Sequence, residues 1–217
     1  SGFPVKHLAS PAFDLAKQAT VMFARQTGCP NCAADVRSTD FSIGCSCTGF
    51  AVTHDLIVTN NHCVSAMAIG AKATFRTYYG QDVEATLIGK SMIDGERRLM
   101  DGRTIDIVDS DLGDVALLRT TEQMDLSPVR LANSDTVDQY TPVLAVGHPG
   151  IMSRSGPFVV SAGSVIGHST FYEPGLFYSL PVSGGSSGSG VFNLNGEVIG
   201  QIAHGGLYAG AEQESIL

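Results

Sequence analysis

Short runs rich in β-branched and aromatic residues, separated by Gly, Asp and Asn, recur along almost the whole chain. Runs of this length and spacing indicate short strands assembled into barrels or sandwiches, so we expect an all-β protein. In the first half the predicted strands are Thr20 to Ala24, Ser42 to Val52, Leu56 to Thr59, Ala73 to Tyr78, Val83 to Ile88 and Val115 to Arg119. In the second half they are Val143 to Val146, Phe158 to Ile166, Leu176 to Leu180, Gly190 to Asn193 and Glu197 to Ile202.

Two segments depart from this strand pattern. Ser10 followed by Pro11 is typical of a helix start, because proline suits the first helical position, and Asp14 would lie in the first turn. A short helix is therefore expected near the N-terminus. The stretch from Met92 to Ser110 is polar and charged, which predicts a long surface loop.

The charge balance excludes some classes of partner. The chain holds 13 Lys and Arg against 21 Asp and Glu, a formal net charge of −8, and no basic cluster exceeds Arg97-Arg98. Nucleic acids and anionic membranes both require a basic surface, so neither is an expected partner. No apolar run reaches the roughly 18 residues of a membrane span. The sequence also begins without a signal peptide, and we interpret it as a mature or trimmed form.

Glycine and serine dominate the string Gly185 to Gly190, which leads directly into the apolar pair Val191-Phe192. Glycines allow a tight turn from which a hydroxyl projects and whose backbone N–H groups can hold an oxyanion. Ser187 is the serine that we expect to be a nucleophile. A Gly/Ser cluster is by itself more often a plain loop, so this role needs partners elsewhere in the chain.

Two side chains far upstream can be those partners. His62 follows the predicted strand Leu56 to Thr59, and a neutral imidazole can take a proton from a serine hydroxyl. Asp114 ends an acidic loop just before the apolar run Val115 to Leu118, where a carboxylate can orient an imidazole. Taken singly, the first would be a histidine at a strand end and the second a solvated loop charge. A calcium loop is excluded, because the glutamate of the EF-hand spacing is missing.

The order His62, Asp114, Ser187 distinguishes between hydrolase designs. Chymotrypsin-like enzymes use this order. The segment Gly184-x-Ser186-x-Gly188 also matches the nucleophile elbow of α/β-hydrolases, but there the acid and the histidine follow the serine. No aspartate follows Ser187. Only Glu197 and His204 could serve as the acid and the base, and they lie seven residues apart within one apparent hairpin, so we set the α/β-hydrolase interpretation aside.

Three separated motifs carry a family resemblance: Cys47 to Phe50 leading to Thr59 to Cys63, then Asp114 to Leu118, then Gly185 to Ser189. Together they resemble the trypsin-like serine peptidases of the chymotrypsin fold. Val198 to Gly206 is similar to the bacterial secreted branch, with its glutamyl-endopeptidase-like and lysyl-endopeptidase-like enzymes. The resemblance implies two antiparallel six-stranded β-barrels with the active site in the cleft between them. The expected division is an N-terminal extension over residues 1–18, a first barrel over 19–125 and a second over 126–217.

The resemblance also implies the chemistry. It describes a secreted or periplasmic serine endopeptidase that hydrolyses polypeptides through an acyl-enzyme, with His62 as general base, Asp114 as its orienting acid and Ser187 as nucleophile. The backbone N–H groups of Gly185 and Ser187 would form the oxyanion hole. No cofactor or metal is expected, and the enzyme would be a monomer with a polypeptide substrate as its partner. The alternatives are a catalytically silent pseudoprotease or binding module, and an esterase on the same fold.

Substrate choice is expected to depend on a pocket beside the nucleophile. Cleavage after Lys or Arg in this family needs a carboxylate six residues before the nucleophile, where this chain has Pro181. By the family's spacing, the residues of the pocket are Val182, Ile202, Ala203, His204 and Gly205. A preference for apolar P1 residues is the first interpretation. A preference for acidic residues is the second, because an inward His204 could bind a glutamate carboxylate.

Five cysteines in a protein of this type indicate an oxidising compartment. Through the resemblance, Cys47 and Cys63 correspond to the disulfide that lies beside the catalytic histidine of the superfamily. Cys29, Cys32 and Cys45 then remain without an assigned pairing. The alternative is a zinc site in which Cys29, Cys32, Cys45 and Cys47 supply four thiolates, and it would require Cys47 not to pair with Cys63.

Overall fold

The computed structural model of the chain describes residues 10–26, 47–91, 95–98, 104–107, 114–148, 158–169, 175–207 and 213–216. In these residues the protein is almost entirely β-structure, with one α-helix near the N-terminus and two single 3₁₀ turns. The prediction of an all-β protein with a short N-terminal helix is therefore confirmed. Cys29, Cys32 and Cys45 lie outside the described residues, as do the loop positions Asp109 and Asp111.

Sixteen strands are found in the described residues. Those of the first half are β1 (Thr20–Gln26), β2 (Thr48–Thr53), β3 (Leu56–Thr59), β4 (Lys72–Thr77), β5 (Asp82–Lys90), β6 (Gly95–Arg98), β7 (Thr104–Ile107) and β8 (Ala116–Thr120). Those of the second half are β9 (Arg130–Leu131), β10 (Pro142–Gly147), β11 (Val159–Ser169), β12 (Gly175–Ser179), β13 (Gly190–Phe192), β14 (Glu197–Gln201), β15 (His204–Leu207) and β16 (Gln213–Ile216).

The helix α1 spans Ser10–Ala19, as the Ser10-Pro11 pair predicts. Proline is tolerated in the first helical turn because the N–H groups of that turn have no intrahelical partner. Asp14 lies beyond the first turn, which contains no acidic residue. Ala12 and Ala16 lie four residues apart, on one face of the helix, and both are fully buried. This small-residue face allows α1 to pack closely on β2, β10 and β13.

Six strands of the first half close into an antiparallel barrel with the order β1-β2-β3-β8-β5-β4. Buried and more exposed residues alternate along β4 and through most of β5, as expected for strands with one face in a core. Among the fully buried side chains of its core, the largest are Phe75, Ile57, Leu87 and Leu118. Closure pairs every strand on both sides, so this barrel has no open edge.

The segment from Met92 to Ser110 differs from the prediction of an unstructured loop. Within it, β6 and β7 pair as an antiparallel hairpin, with Gly95 opposite Ile107 and Arg98 opposite Thr104. The sequence is so polar that it shows no apolar alternation, which is the usual signal of a strand. The residue types of this segment therefore gave no indication that β6 and β7 pair.

The second half forms an open sheet of eight strands in the described residues, with the order β15-β16-β12-β11-β10-β13-β14-β9. The expectation of a second closed six-stranded barrel is corrected in this detail. The short strand β9 pairs with β14 in parallel, with Arg130 opposite Glu197, whereas the other pairs of this sheet are antiparallel. Strands β15 and β16 form a hairpin at the other end of the order.

A hydrophobic cluster joins the helix and the two sheets. It contains Ala12 and Ala16 of α1, Phe50 of β2, Leu144 and Val146 of β10, Phe192 of β13 and Val198 of β14. Each half also has its own core, so this cluster is a third buried region. Because it takes side chains from both sheets, it limits how far one sheet can move relative to the other.

Tyr178 lies at the centre of the second sheet's core with no exposed surface. In the described residues its hydroxyl has no hydrogen-bond partner. Burial raises the pKa of this hydroxyl far above its ordinary value, because removal from water disfavours the charged form. A buried hydroxyl without a partner costs free energy, because its bonds to water are lost and nothing replaces them.

We therefore expect the change Tyr178→Phe to increase the free energy of unfolding by about 1 kcal/mol, since the ring stays and only the desolvated hydroxyl is removed. Urea denaturation measures this. The exposed Tyr140, with 74 % of its surface accessible, is the control, and Tyr140→Phe should change stability by less than about 0.5 kcal/mol. A clear destabilisation by Tyr178→Phe alone would contradict the prediction.

Candidate active site

The antiparallel pairing of β3 and β8 brings His62 and Asp114 together. Thr59, the last residue of β3, pairs with Ala116, the first residue of β8. His62 follows shortly after the first strand and Asp114 shortly precedes the second, so both lie at the same end of the barrel. His62 also begins a single 3₁₀ turn, His62–Val64, which turns the chain away from the strand direction.

Asp114 binds His62 through both of its carboxylate oxygens. The main-chain N–H of His62 donates to Oδ1 at 2.8 Å, and Nδ1 of the ring lies 2.5 Å from Oδ2. The carboxylate side chain is only 7 % exposed, whereas the imidazole is 41 % exposed. A carboxylate accepts rather than donates, so it selects the tautomer with the proton on Nδ1 and presents Nε2 as a proton acceptor.

The glycine- and serine-rich string Gly185 to Gly190, called the serine turn below, contains three serines, and one of them is more exposed than the other two. Ser186 and Ser189 are buried, at 5 % and 0 % exposure, and Ser187 is the more accessible residue between them. The turn is closed by the N–H of Ser186 donating to the Ser183 carbonyl at 2.9 Å, and by the N–H of Ser189 donating to the Ser186 carbonyl at 3.0 Å. Gly185 has φ of 101°, a left-handed backbone that glycine adopts without strain.

The N–H groups of Gly185 and Ser187 donate to no group in the part of the chain that the structure describes. Their neighbours in the turn, Ser186, Gly188 and Ser189, all donate to main-chain carbonyls. A peptide N–H without an internal partner can bind an anionic oxygen of a ligand. These two are the N–H groups that the sequence predicts for an oxyanion hole.

The serine turn is attached to the first barrel next to the disulfide Cys47–Cys63. The N–H of Thr48 donates to the Ser187 carbonyl at 2.8 Å, and Cys63 directly follows His62. The disulfide therefore links the start of β2, where Thr48 binds the Ser187 carbonyl, to the segment that contains His62. A ring nitrogen of His62 and the two sulfurs lie within 4.8 Å of one another, but sulfurs bonded to each other offer no thiolate to a metal.

The predicted pocket residues fall into two groups. Val182 and Ile202 are buried in the core of the second sheet, at 6 % and 2 % exposure, and Ala203 is 9 % exposed. His204 and Gly205 open β15, where their backbones pair with Ile216 and Ser215. Their side-chain surroundings lie outside what the structure describes, so the orientation of the His204 ring stays a prediction.

Two buried residues of the site were not identified from the sequence. Asn60 donates from Nδ2 to the main-chain carbonyl of Asp114 at 2.9 Å, and it has no exposed surface. Thr48 contacts the serine turn through both its backbone and its side chain. Each lies within one of the three sequence motifs that carry the family resemblance. The sequence does not show which distant groups a polar residue near a strand end will contact.

Comparison with known families gives a match over most of the chain. Residues 47–200 match the model of the trypsin-like peptidase domain. This range contains His62, Asp114 and Ser187 and both cysteines of the disulfide.

Among curated proteins, similar sequences carry the description "probable periplasmic serine endoprotease DegP-like". The protein from Rhizobium meliloti (strain 1021) is 33 % identical over 156 residues, which cover 70 % of this chain and 26 % of that protein. The protein from Pseudomonas fulva (strain 12-X) is 34 % identical over 155 residues, which cover 70 % of this chain and 28 % of that protein. The chain thus spans about a quarter of the length of these relatives.

Among solved structures, the Rv3671c protease in an inactive form has a TM-score of 0.64 at 18 % identity, over 97 % of this chain and 88 % of that chain. A serine-to-alanine mutant of Rv3671c from M. tuberculosis H37Rv, also in an inactive form, has a TM-score of 0.61 at 18 % identity, over 100 % and 89 % of the two chains. At this identity the likeness supports a common fold.

Gly188 of the serine turn has no room for a side chain. Its φ is 85°, and a Cβ added there would overlap the carbonyl oxygen of Thr48 and Oγ1 of Thr59. Gly80 has a similar φ of 89°, but an added Cβ would meet nothing within 4 Å. Alanine at Gly80 would therefore add backbone strain alone, whereas alanine at Gly188 would add both backbone strain and steric overlap.

We expect Gly80→Ala to lower the free energy of unfolding by about 1 to 2 kcal/mol, which is the cost of the left-handed backbone alone. Gly188→Ala should cost a further ~1 to 3 kcal/mol, because the overlap forces the turn away from Thr48. Chemical denaturation of both variants measures the difference. Equal losses would contradict the close packing of the turn on Thr48.

Proposed function

This chain belongs to the trypsin-like peptidase domain family, and on that basis we propose that it is a serine endopeptidase in which His62, Asp114 and Ser187 form the catalytic triad. The observation that carries the proposal is the two-point contact between His62 and the buried carboxylate of Asp114. A histidine held in this way can act as a general base, and Ser187 is the most accessible serine of the glycine-rich turn.

In the proposed reaction, Oγ of Ser187 attacks the carbonyl carbon of the scissile peptide bond while its proton passes to Nε2 of His62. The imidazolium then gives this proton to the leaving amine, the C–N bond breaks, and an acyl ester on Ser187 remains. Water deprotonated by His62 attacks the ester and restores the serine hydroxyl. Asp114 stays ionised, keeps the imidazole in the required tautomer and stabilises its charged form.

The oxyanion of each tetrahedral intermediate would be bound by the N–H groups of Gly185 and Ser187. The absence of internal partners for these two groups in the described residues supports this role. Each donor of this kind contributes about 3 to 4 kcal/mol to the transition state in comparable enzymes. A protein that kept only the fold, as a pseudoprotease or binding module, would not need a buried carboxylate aimed at this histidine.

We propose a periplasmic or otherwise secreted location. The DegP-like relatives are named as periplasmic proteins. The disulfide Cys47–Cys63 fits such a compartment, because disulfides persist under oxidising conditions. Of the helices that the structure describes, none is long and apolar enough to cross a membrane.

The proposed substrates are polypeptides with a small or medium apolar P1 residue. Pro181 occupies the position at which the family uses a carboxylate to bind Lys or Arg, and it offers no charge. Val182 and Ile202 are buried and apolar, which supports a pocket built on an apolar wall. An acidic P1 preference through His204 is the second possibility.

The triad is tested by a fluorophosphonate probe followed by peptide mapping. We expect the adduct on Ser187 and not on Ser186 or Ser189, because Ser187 is more exposed than the two buried serines and is the proposed partner of His62. Ser187→Ala should abolish turnover of peptide and of ester substrates. An adduct on Ser186, or no adduct on a preparation that cleaves peptides, would contradict the assignment. Activity on esters without activity on peptides would favour the esterase.

The variant Asp114→Asn should lower kcat by on the order of 10⁴, because the amide no longer selects the tautomer with the proton on Nδ1. The matched control is Asp82→Asn, which removes an exposed carboxylate that pairs with Arg76 on the barrel surface. Its kcat should equal that of the wild type. Near-normal turnover by Asp114→Asn would show that another acid, such as Asp106, Asp109 or Asp111, has the role.

The P1 preference is tested with a diverse peptide library on the wild type and on His204→Ala. If the imidazole lies outside the pocket, cleavage after apolar residues should stay largely intact in the variant. A glutamate preference that the variant loses would place the imidazole inside the pocket. Cleavage by the wild type mainly after Lys or Arg would contradict both interpretations.

A further inference from the structure

Thr48, the first residue of β2, is fully buried and hydrogen-bonded to four residues in three other segments of the chain. Its N–H donates to the carbonyl of Ser187 at 2.8 Å, and its carbonyl accepts from Oγ1 of Thr59 at 2.7 Å. Its hydroxyl oxygen lies 2.8 Å from the carbonyl of Gly185 and 2.9 Å from the main-chain nitrogen of His148. Every polar group of this threonine is therefore engaged.

The chemistry of the partners determines the direction of the hydroxyl's two bonds. A main-chain N–H can only donate, so the hydroxyl accepts from His148. A carbonyl can only accept, so the single hydroxyl proton must point at Gly185. One hydroxyl thus links the end of β10 to the serine turn, and an alkyl group of the same size can replace neither bond.

The two residues whose carbonyls Thr48 binds are the two proposed donors of the oxyanion hole. In the peptide group between Gly185 and Ser186, Thr48 binds the oxygen and the Ser183 carbonyl binds the N–H at 2.9 Å. In the peptide group between Ser187 and Gly188, Thr48 again binds the oxygen and the Ile202 carbonyl binds the N–H at 2.8 Å. Both planar groups are held at both ends.

The two unbonded N–H groups of the oxyanion hole lie one peptide earlier than these two held groups. Each peptide group is planar, so hydrogen bonds to both its oxygen and its N–H fix the orientation of the whole group. A fixed group restrains the backbone torsions of the residue before it, and these torsions set the direction of that residue's own N–H. This matters most at Gly185, where the absence of a Cβ allows the backbone to rotate into several other conformations. Without the Thr48 hydroxyl, the peptide after Gly185 is held at its N–H end alone.

We propose that Thr48 is a positioning residue for the oxyanion hole: its hydroxyl fixes the peptide that follows Gly185 and thereby aims the Gly185 N–H at the substrate oxygen. The inference rests on the proposed function, because it assigns a role within that reaction. Thr48 does not touch the reacting atoms. Its effect on the transition state comes through the orientation of the donors, and donors bind an oxyanion well only within a narrow geometry.

The test uses the isosteric variant Thr48→Val, which keeps the shape and removes the hydroxyl, and Thr48→Ser, which keeps the hydroxyl. The measurements are kcat and KM on a peptide substrate, and the inhibition constant of a peptidyl trifluoromethyl ketone, which forms an oxyanion on the serine. For Thr48→Val we expect kcat to fall by about tenfold to a hundredfold and the inhibitor to bind more weakly by a similar factor. KM should change by less than about threefold. Thr48→Ser keeps the hydroxyl, so its kcat and its inhibitor affinity should stay close to those of the wild type.

The matched control is Thr20→Val. Thr20 is also fully buried and donates from Oγ1 to a main-chain carbonyl, that of Ala16, at 2.7 Å, but it is the first residue of β1, directly after α1. Its variant loses one buried hydrogen bond and should lose stability, measured by urea denaturation, with kcat and inhibitor affinity unchanged. This separates a loss of stability from a loss of donor geometry.

The inference is overturned if Thr48→Val keeps the wild-type kcat and inhibitor affinity. It is also overturned if Thr48→Ser fails to rescue the losses, or if Thr20→Val lowers kcat as much as Thr48→Val does. These outcomes differ from failure of the proposed function itself. If the proposed function is wrong, the wild type will neither cleave peptides nor react with a fluorophosphonate at Ser187. The role inferred for Thr48 would then be rejected together with the proposed function.

Discussion

A carboxylate that is buried away from water has to accept hydrogen bonds from the protein, and this requirement determines the geometry around Asp114. Its side chain is 7 % exposed, and both oxygens accept from His62. Burial without such partners would cost several kcal/mol, so the histidine is as necessary to the aspartate as the aspartate is to the histidine. Asn60 binds the aspartate's main chain, which fixes the carboxylate at the end of β8. The pair therefore exists only while β3 and β8 keep their register.

The serine turn depends on the rest of the molecule in a different way. It consists largely of glycine and serine, so it buries little apolar surface and cannot hold its own shape through packing. Hydrogen bonds to Thr48 of the first barrel and to Ile202 of the second sheet hold it instead. The cluster that includes Phe50, Leu144 and Phe192 keeps the two sheets at the distance those bonds require. The site is thus a property of both sheets together.

The strands that pattern analysis found are those with one face in a core. Leu56 to Thr59 was predicted with the bounds that β3 has, and the six strands of the first barrel lie where apolar residues recur. Strands β6, β7 and β9 are among those that the pattern did not predict, and their sequences show no apolar alternation. Arg130–Leu131 is exposed at both residues, and the hairpin of β6 and β7 has no apolar alternation in its sequence. Their pairing is a matter of backbone hydrogen bonds, which any residue except proline can make. The division at residues 18 and 125 stays a prediction.

The sequence by itself determined which chemical groups are present, in what order, and that the chain is all-β, because residue type and local periodicity are written in it. It also pointed to His62, Asp114 and Ser187 through their motifs. What only the tertiary structure decided is which of these groups face one another and what holds them. Thr48 and Gly185 are 137 positions apart, and no local pattern links them. Their contact is set by how the two sheets pack, because a hydrogen bond is a matter of a few tenths of an ångström in three dimensions.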